Sequence, residues 1–422
     1  VTTDVYRSIE AIWRIESARI IAGLTRMTRD VGLAEELAQD ALVTALERWP
    51  ESGIPDNPGA WLTATAKRRA IDMFRRNQRL GQKLETIGRE QETEDEMDLS
   101  HLDADDTIED DLLRLMFIAC HPVLSREARV ALTLRLLGGL STEEIARAFL
   151  TPVTTVAQRL VRAKRTLKKA NVPFEVPTGP EREARLSSVL EVLYLVFNEG
   201  YAATAGEDWM RPALCEDAMR LGRVLAGLAP AESEVHGLVA LMEIQASRTH
   251  ARLGRDGQPV LLMDQDRSRW DRMLIQHGLT ALGRAESLGG AFGQYALQAA
   301  IAACHARART ADETDWERIA ALYDALAAVS PSPVVELNRA VAVSRAFGPA
   351  EGLVIVDRLV ADGALRGYHL LPSVRADLLM QLGWFEDARA EFEAAAEMTS
   401  NERERAMLLT RASECAASQT GE

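Results

Sequence analysis

The chain of 422 residues is 47% hydrophobic and 27% charged, a balance that excludes wholesale disorder, collagen-like repeats and a disulfide-stapled miniature fold. Its length is about three times the usual domain size, so two or three domains are expected. The net charge of -14 argues against nucleic-acid binding only until it is divided: residues 1–80 carry +1, 81–111 carry -11, 112–172 carry +8 and 173–422 carry -12. A basic block beside an acidic one is the asymmetry of a nucleic-acid module next to an acidic segment, although a basic helix face can also be merely solvated. No uncharged apolar run reaches the roughly 18 residues of a membrane span, and the opening VTTDVYRSIE lacks a secretory pattern, so a cytoplasmic protein is expected. Cys120, Cys215, Cys304 and Cys415 are too widely spaced for metal knuckles and are expected to be reduced and buried.

The first strong helical signal is an apolar band of Leu37, Ala41, Ala45 and Trp49, with Ala38, Leu42 and Leu46 beside it, expected to end at Trp49-Pro50. On the same helix Glu36, Asp40 and Glu47, flanked by Glu35 and Gln39, form an acidic stripe opposite the band, which meets either a basic protein partner or water. A loop of Gly53, Pro55, Asp56, Asn57 and Pro58 follows, and Asn57-Pro58 reads as an N-cap and first-turn proline for a helix to about Arg79. Leu62, Ala66, Ala70 and Met73 give this helix a burying stripe. Trp61, Thr65, Arg68, Asp72, Arg75, Arg76 and Arg79 form another, suited to stacking on and hydrogen-bonding unpaired bases, with Trp61 better suited to anchoring a core. Residues 81–111 carry like charges and few apolar anchors, as an extended linker does. Four short helical patterns then fit 111–120, 125–137, 142–149 and 152–170.

The segment GLSTEEIARAFLTPVTTVAQRLVRAKRTLKK encodes two helices and a tight turn. Ser141 and Glu144 form a capping box, Ile145 and Phe149 face inward, Thr151-Pro152 starts the second helix, and Val156 with Leu160 packs it back. Thr154, Thr155, Gln158, Arg159 and Arg162 are left on the outward face, where a major-groove reader needs short polar groups and guanidiniums. Arg159, Arg162, Lys164, Arg165, Lys168 and Lys169 supply charge for phosphates.

AEELAQDALVTALERW, NPGAWLTATAKRRAIDMFRRNQR, an acidic linker and the helix-turn-helix, in that order, resemble regions two and four of a bacterial extracytoplasmic-function sigma factor of RNA polymerase. The resemblance covers about residues 5–172. It implies that Glu36 and Asp40, with Glu47, dock on the polymerase clamp coiled coil. It also implies that Arg68 and Asp72, with Arg75, Arg76 and loop 51–57, hold the melted minus-ten strand, and that Thr154, Thr155, Gln158, Arg159 and Arg162 meet the minus-35 duplex. Core RNA polymerase and promoter DNA are the implied partners. The sequence departs from the family where Leu150 and Thr154 stand at positions commonly held by glycine.

Beyond Pro173, Pro177 and Pro180 the chain is rich in Ala and Leu and almost wholly helical in pattern. Triads at i, i+4, i+7, namely Ile319/Tyr323/Leu326, Gly352/Val356/Leu359 and Ala388/Phe392/Ala395, recur at nearly the tetratricopeptide period of about 34 residues. The expected fold is therefore all-α: sigma region 2 over 1–80, an acidic linker over 81–111, helix-turn-helix region 4 over 112–172, and a helical tetratricopeptide-like solenoid over 173–422. Asn198, Glu199 and Tyr201 form the most distinctive local feature of the extension, either a buried helix end or a contact site. No HExxH, Walker or dinucleotide loop occurs, so no catalytic residue, metal or cofactor is expected. The expected function is promoter-directed initiation without enzymatic activity, the extension regulating it or binding a peptide, ligand or anti-sigma partner. The alternative is a helix-turn-helix regulator with the array as its sensor.

Overall fold

The structure, a computed structural model, describes residues 2–85, 107–203, 205–206, 208–254 and 257–420. It divides into two compact units, Val1–Val192 and Leu193–Glu422. The central part of the expected acidic linker, residues 86–106, lies outside the described residues. As the sequence predicts, the architecture is all-α, save for one two-residue strand pairing.

The first unit contains α1 (Thr2–Thr28), α2 (Val31–Ser52), α3 (Pro58–Glu85), α4 (Thr107–Ala119), α5 (Arg126–Leu136), α6 (Thr142–Ala148) and α7 (Val153–Lys169), followed by the start of α8 (Gly179–Tyr201). Asp30 starts α2: its Oδ1 accepts the N–H groups of Gly32 and Leu33 at 2.9 and 3.2 Å, satisfying donors that a helix N-terminus leaves free. Ala34, Ala38, Ala41 and Ala45 are fully buried, and their lack of bulk lets α2 lie close against α1 and α3. Trp49 closes that core and meets Trp61 edge-on at 5.3 Å, so Trp61 is partly a core anchor. The expected stop at Pro50 is corrected: α2 continues to Ser52 and ends at Gly53, whose φ of 82° a glycine tolerates and whose N–H donates to Trp49 O. One missing donor near a C-terminus does not break a helix already held by tertiary packing. At α3, Asn57 Oδ1 accepts from Ala60 N at 3.0 Å, as its N-cap position predicts. The helix extends past the expected end, to Glu85.

The capping box forms as read: Glu144 N donates to Ser141 Oγ at 3.1 Å and Ser141 N to Glu144 Oε2 at 2.8 Å. Helix α7 buries Val156, Leu160, Ala163 and Leu167 on one face, each large side chain contributing roughly 1.5–3 kcal/mol. Its entry differs from expectation, because Thr151 Oγ1 donates backwards to Phe149 O and Pro152 itself is the N-cap, with no side-chain cap bond. Ser188 and Glu191 on α8 both accept from Arg129 of α5, so residues 179–192 pack with this unit.

The second unit runs from the end of α8 through α9 (Pro212–Leu228), α10 (Ser233–Ala246), α11 (Arg272–Ser287), α12 (Gln294–Arg307), α13 (Trp316–Val329), α14 (Pro333–Phe347), α15 (Pro349–Ala361), α16 (Leu370–Gln381), α17 (Phe385–Met398) and α18 (Glu402–Thr420). From α12 onward each helix packs on the next. The three sequence triads lie on α13, α15 and α17, the first helices of successive pairs, and Ile319, Leu326, Val356, Leu359, Ala388, Phe392 and Ala395 are buried. The array closes on itself. Strand β1 (Ala205–Gly206) pairs in parallel with β2 (Ser400–Asn401), and the buried Asn401 side chain donates to Ala203 O and Asp208 O at 3.2 and 3.0 Å.

Candidate nucleic-acid interface

Helix α7 presents Thr154, Thr155, Gln158 and Arg162 to solvent, with Arg159 half-buried beside them. The four buried residues on its opposite face hold this row outward against α5 and α6. Leu150, in the turn that aims α7, has φ +47°, a left-handed conformation that glycine adopts without the Cβ clash. The glycine common at this position in the resembled family therefore has a steric reason here.

Helix α3 places Arg68, Asp72, Arg75 and Arg76 on its exposed face, while Leu62, Ala66 and Ala70 are sealed on the other. Met73 is half-buried, and the side chain of Arg79 lies outside the described residues. The acidic residues of α2 separate into three environments. Glu36 and Glu47 are exposed. Asp40 is half-exposed and pairs with Arg69 of α3 at 2.8 Å. Glu35, read from spacing as part of the outward stripe, is only 4% exposed and turns the other way.

Glu35 is the centre of an ionic clasp between the two halves of this unit. Its carboxylate accepts from Arg135 Nε at 2.6 Å and from Gln39 Nε2 at 2.6 Å, and it pairs with Lys164 of α7. Lys168, one helical turn on, donates to Asp30 Oδ2 at 2.7 Å. Burial alone raises the Asp30 carboxyl, but the bond from Lys168 and the N–H groups of Leu33 and Gly32 outweigh it and hold it below the usual carboxylate range. Arg14 of α1 reaches Glu144 of α6 at 2.5 Å, and Arg26 reaches the buried Asp111 of α4 at 3.3 Å. A cleft of about 810 Å³ runs along the seam, lined by Arg26, Arg29, Asp30, Arg114, Lys164 and Lys168 among others. Lys164 and Lys168, expected from the sequence to supply charge for phosphates, are thus occupied by Glu35 of α2 and by its N-cap Asp30. Sequence spacing missed this, because Arg135 and Glu35 lie 100 residues apart.

In the second unit, Asn198, Glu199 and Tyr201 all lie within α8, which runs through Asn198-Glu199-Gly200 rather than being capped by it. Gly200 is required by close approach: a Cβ there would lie 2.7 Å from Cys215 N. Glu199 is buried and paired with Arg211, and Tyr201 stacks on Phe197 at 5.7 Å with the Arg252 guanidinium 3.7 Å from its ring centre. Asn198 is half-buried. All four cysteines are free and buried, and burial pushes Cys120 and Cys215 up to about 12, so both remain protonated thiols. Among the described residues no helix is long and apolar enough to cross a membrane.

Residues 15–80 match the family described as Sigma-70 region 2, residues 114–167 match Sigma-70, region 4, and residues 185–286 match a family of unknown function. An uncharacterised protein of Rhizobium meliloti (strain 1021) is 42% identical over 399 residues, covering 92% of this chain and 91% of its own. The probable ECF RNA polymerase sigma factor SigI of Mycobacterium tuberculosis is 26% identical over 46% of this chain and 68% of its own. The ECF RNA polymerase sigma factor SigK of Mycobacterium ulcerans is 30% identical over 36% of this chain and 78% of its own. No solved structure matches the chain.

Proposed function

This chain belongs to the ECF RNA polymerase sigma factors, and from that premise we propose how its surfaces divide the work of initiation. It binds core RNA polymerase and directs promoter-specific transcription initiation; the polymerase performs the chemistry, and the chain works where polymerase and chromosome are, in the cytoplasm. Glu36, Asp40 and Glu47 meet the polymerase. Arg68, Asp72, Arg75 and Arg76 hold the opened minus-ten strand, and Thr154, Thr155, Gln158, Arg159 and Arg162 read the minus-35 duplex. The extension over 173–422 regulates this activity. The observation that supports the division is the exposure of two polar, cation-bearing rows on separate helices, α3 and α7, each backed by a buried apolar face.

Minus-ten and minus-35 elements lie about 25 base pairs apart, roughly 85 Å along B-form DNA. Regions tied through Glu35 and Asp30 do not span that distance, so the clasp opens when both elements are engaged. Paired substitutions test the assignment. Gln158→Ala with Arg162→Ala should relax base preference in the minus-35 duplex, each specific contact being worth roughly 1–3 kcal/mol. Arg68→Ala with Asp72→Ala should leave duplex binding intact and impair opening, read as permanganate-reactive thymines in the complex with core polymerase. Equal loss of duplex binding by both pairs overturns the division.

A further inference from the structure

The cleft along the seam of the first unit has cations on three elements. Arg26 of α1 and Arg29 of the α1–α2 turn line it on one side, Arg114 of α4 on a second, and Lys164 and Lys168 of α7 on a third. Two carboxylates, Asp30 and Glu175, line it with them. Behind the walls, sealed carboxylates are shared rather than matched one to one. The Asp111 side chain, 2% exposed, serves both Arg26 at 3.3 Å and Arg114 at 2.8 Å. Glu35 likewise serves Lys164 and Arg135 together. Asp110 reaches Arg114 only at 3.9 Å, and both it and Glu175 are exposed, so water and salt screen their share of the balance. The interior of the cleft therefore keeps an excess of positive charge.

Two of these cations have donors to offer. Arg29 pairs with no carboxylate among the described residues. Its φ of +50° is a left-handed conformation that costs any residue with a Cβ, and its exposed side chain recovers little by packing. What it contributes to the turn is a charge on the cleft wall. Lys168, 75% exposed, donates to Asp30 and keeps two further ammonium N–H groups. The lining also includes Val31, Leu33, Ile118, Leu167 and the half-buried ring of Phe174, an apolar surface beside the charges. At about 810 Å³ the cleft is far larger than one carboxylate or phosphate requires and matches sites for small organic molecules. A chain of linked phosphates carries several negative charges at short spacing. It can meet cations on separate walls at once, guanidiniums through paired hydrogen bonds and ammoniums as point charges, which a single carboxylate cannot do.

We propose that this cleft binds an oligophosphate, free or carried on a nucleoside, held between Arg29 beside α1 and Lys168 on α7. A ligand touching both walls holds α7 to α1 and opposes the opening of the clasp; that consequence rests on the opening proposed above, whereas the binding itself does not. Calorimetric titration of the full chain with tripolyphosphate, adenosine triphosphate, sulfate and adenosine, at about 0.15 M salt, tests the binding. The expected result is saturable one-site binding of an oligophosphate at least about tenfold tighter than that of sulfate or adenosine. Equal affinity for the two oligophosphates assigns the phosphate chain alone, and tighter binding of the nucleotide assigns a nucleoside body. Arg29→Glu and Lys168→Ala, both at exposed positions, should each weaken binding at least about tenfold while the circular dichroism spectrum stays that of the wild type. Arg159→Ala with Arg162→Ala, on the outward row of α7, should change it less than about twofold. The proposal is overturned if neither oligophosphate saturates the protein by about 1 mM, or if sulfate or adenosine binds as tightly. It is also overturned if affinity survives in folded Arg29→Glu or Lys168→Ala, or falls with the Arg159 and Arg162 pair instead. The titration contains neither polymerase nor DNA, so its failure leaves the initiation reading standing.

Discussion

Leu150 holds a backbone conformation in which an L side chain crowds its own carbonyl, a penalty of about 1–2 kcal/mol. The side chain is 56% exposed and so recovers little by packing. Leu150→Gly removes the clash but gives the unfolded chain more freedom, leaving a net stabilisation of about 0.5–1 kcal/mol, visible as a higher melting temperature. A melting temperature lowered by the substitution contradicts this account of the turn. His305 is an opposite case, a buried side chain whose pKa desolvation, aided by Arg248 and Arg267, depresses to about 3. The unfolded chain takes up a proton near pH 6.5 while the folded one refuses it until about pH 3. Stability is therefore complete above about pH 6.5 and falls as pH drops toward 3, by up to about 1.4 kcal/mol per pH unit. Melting curves of wild type and His305→Asn between pH 7 and 4 check this: the variant should show the shallower decline, and equal slopes contradict the assignment.

At the scale of elements, helix-to-helix approach is set by small residues. Gly200 lets α8 reach α9, and Gly200→Ala forces a Cβ to within 2.7 Å of the Cys215 backbone nitrogen, which cannot yield as a flexible side chain can. The cost should be about 1–3 kcal/mol in urea unfolding of the second unit; a neutral substitution contradicts the close packing. Much of the element order was legible beforehand. The alanine-rich band of α2, the Asn57 cap and the Ser141–Glu144 box are local signals, readable because each rests on contacts a few residues apart. The recurring triads on α13, α15 and α17 were legible for the same reason. What was not legible depended on distant partners. Glu35 looked outward beside Glu36 until Arg135 and Lys164 were brought against it. The β1–β2 closure rests on two-residue strands too short for any periodicity. Arg248 stands against Tyr201 of α8 and Trp270 just before α11, a meeting that no linear spacing announces.

For the whole molecule the central claim is that the exposed rows of α3 and α7, proposed to meet DNA, are held together by the Glu35 and Asp30 clasp and separate when a promoter is engaged. Glu35→Gln leaves Arg135 and Lys164, each about a quarter exposed or less, without their shared carboxylate, weakening the closed form by roughly 2 kcal/mol. The most direct measurement is single-pair fluorescence transfer between dyes on the exposed positions Ala64 of α3 and Ala157 of α7, free and in the open complex with core polymerase and promoter DNA. The account predicts high transfer in the free protein, partial loss in Glu35→Gln, and near-complete loss in the open complex, where the elements lie some tens of ångströms apart. High transfer persisting in a transcriptionally competent complex, or low transfer in the free wild-type protein, would contradict it.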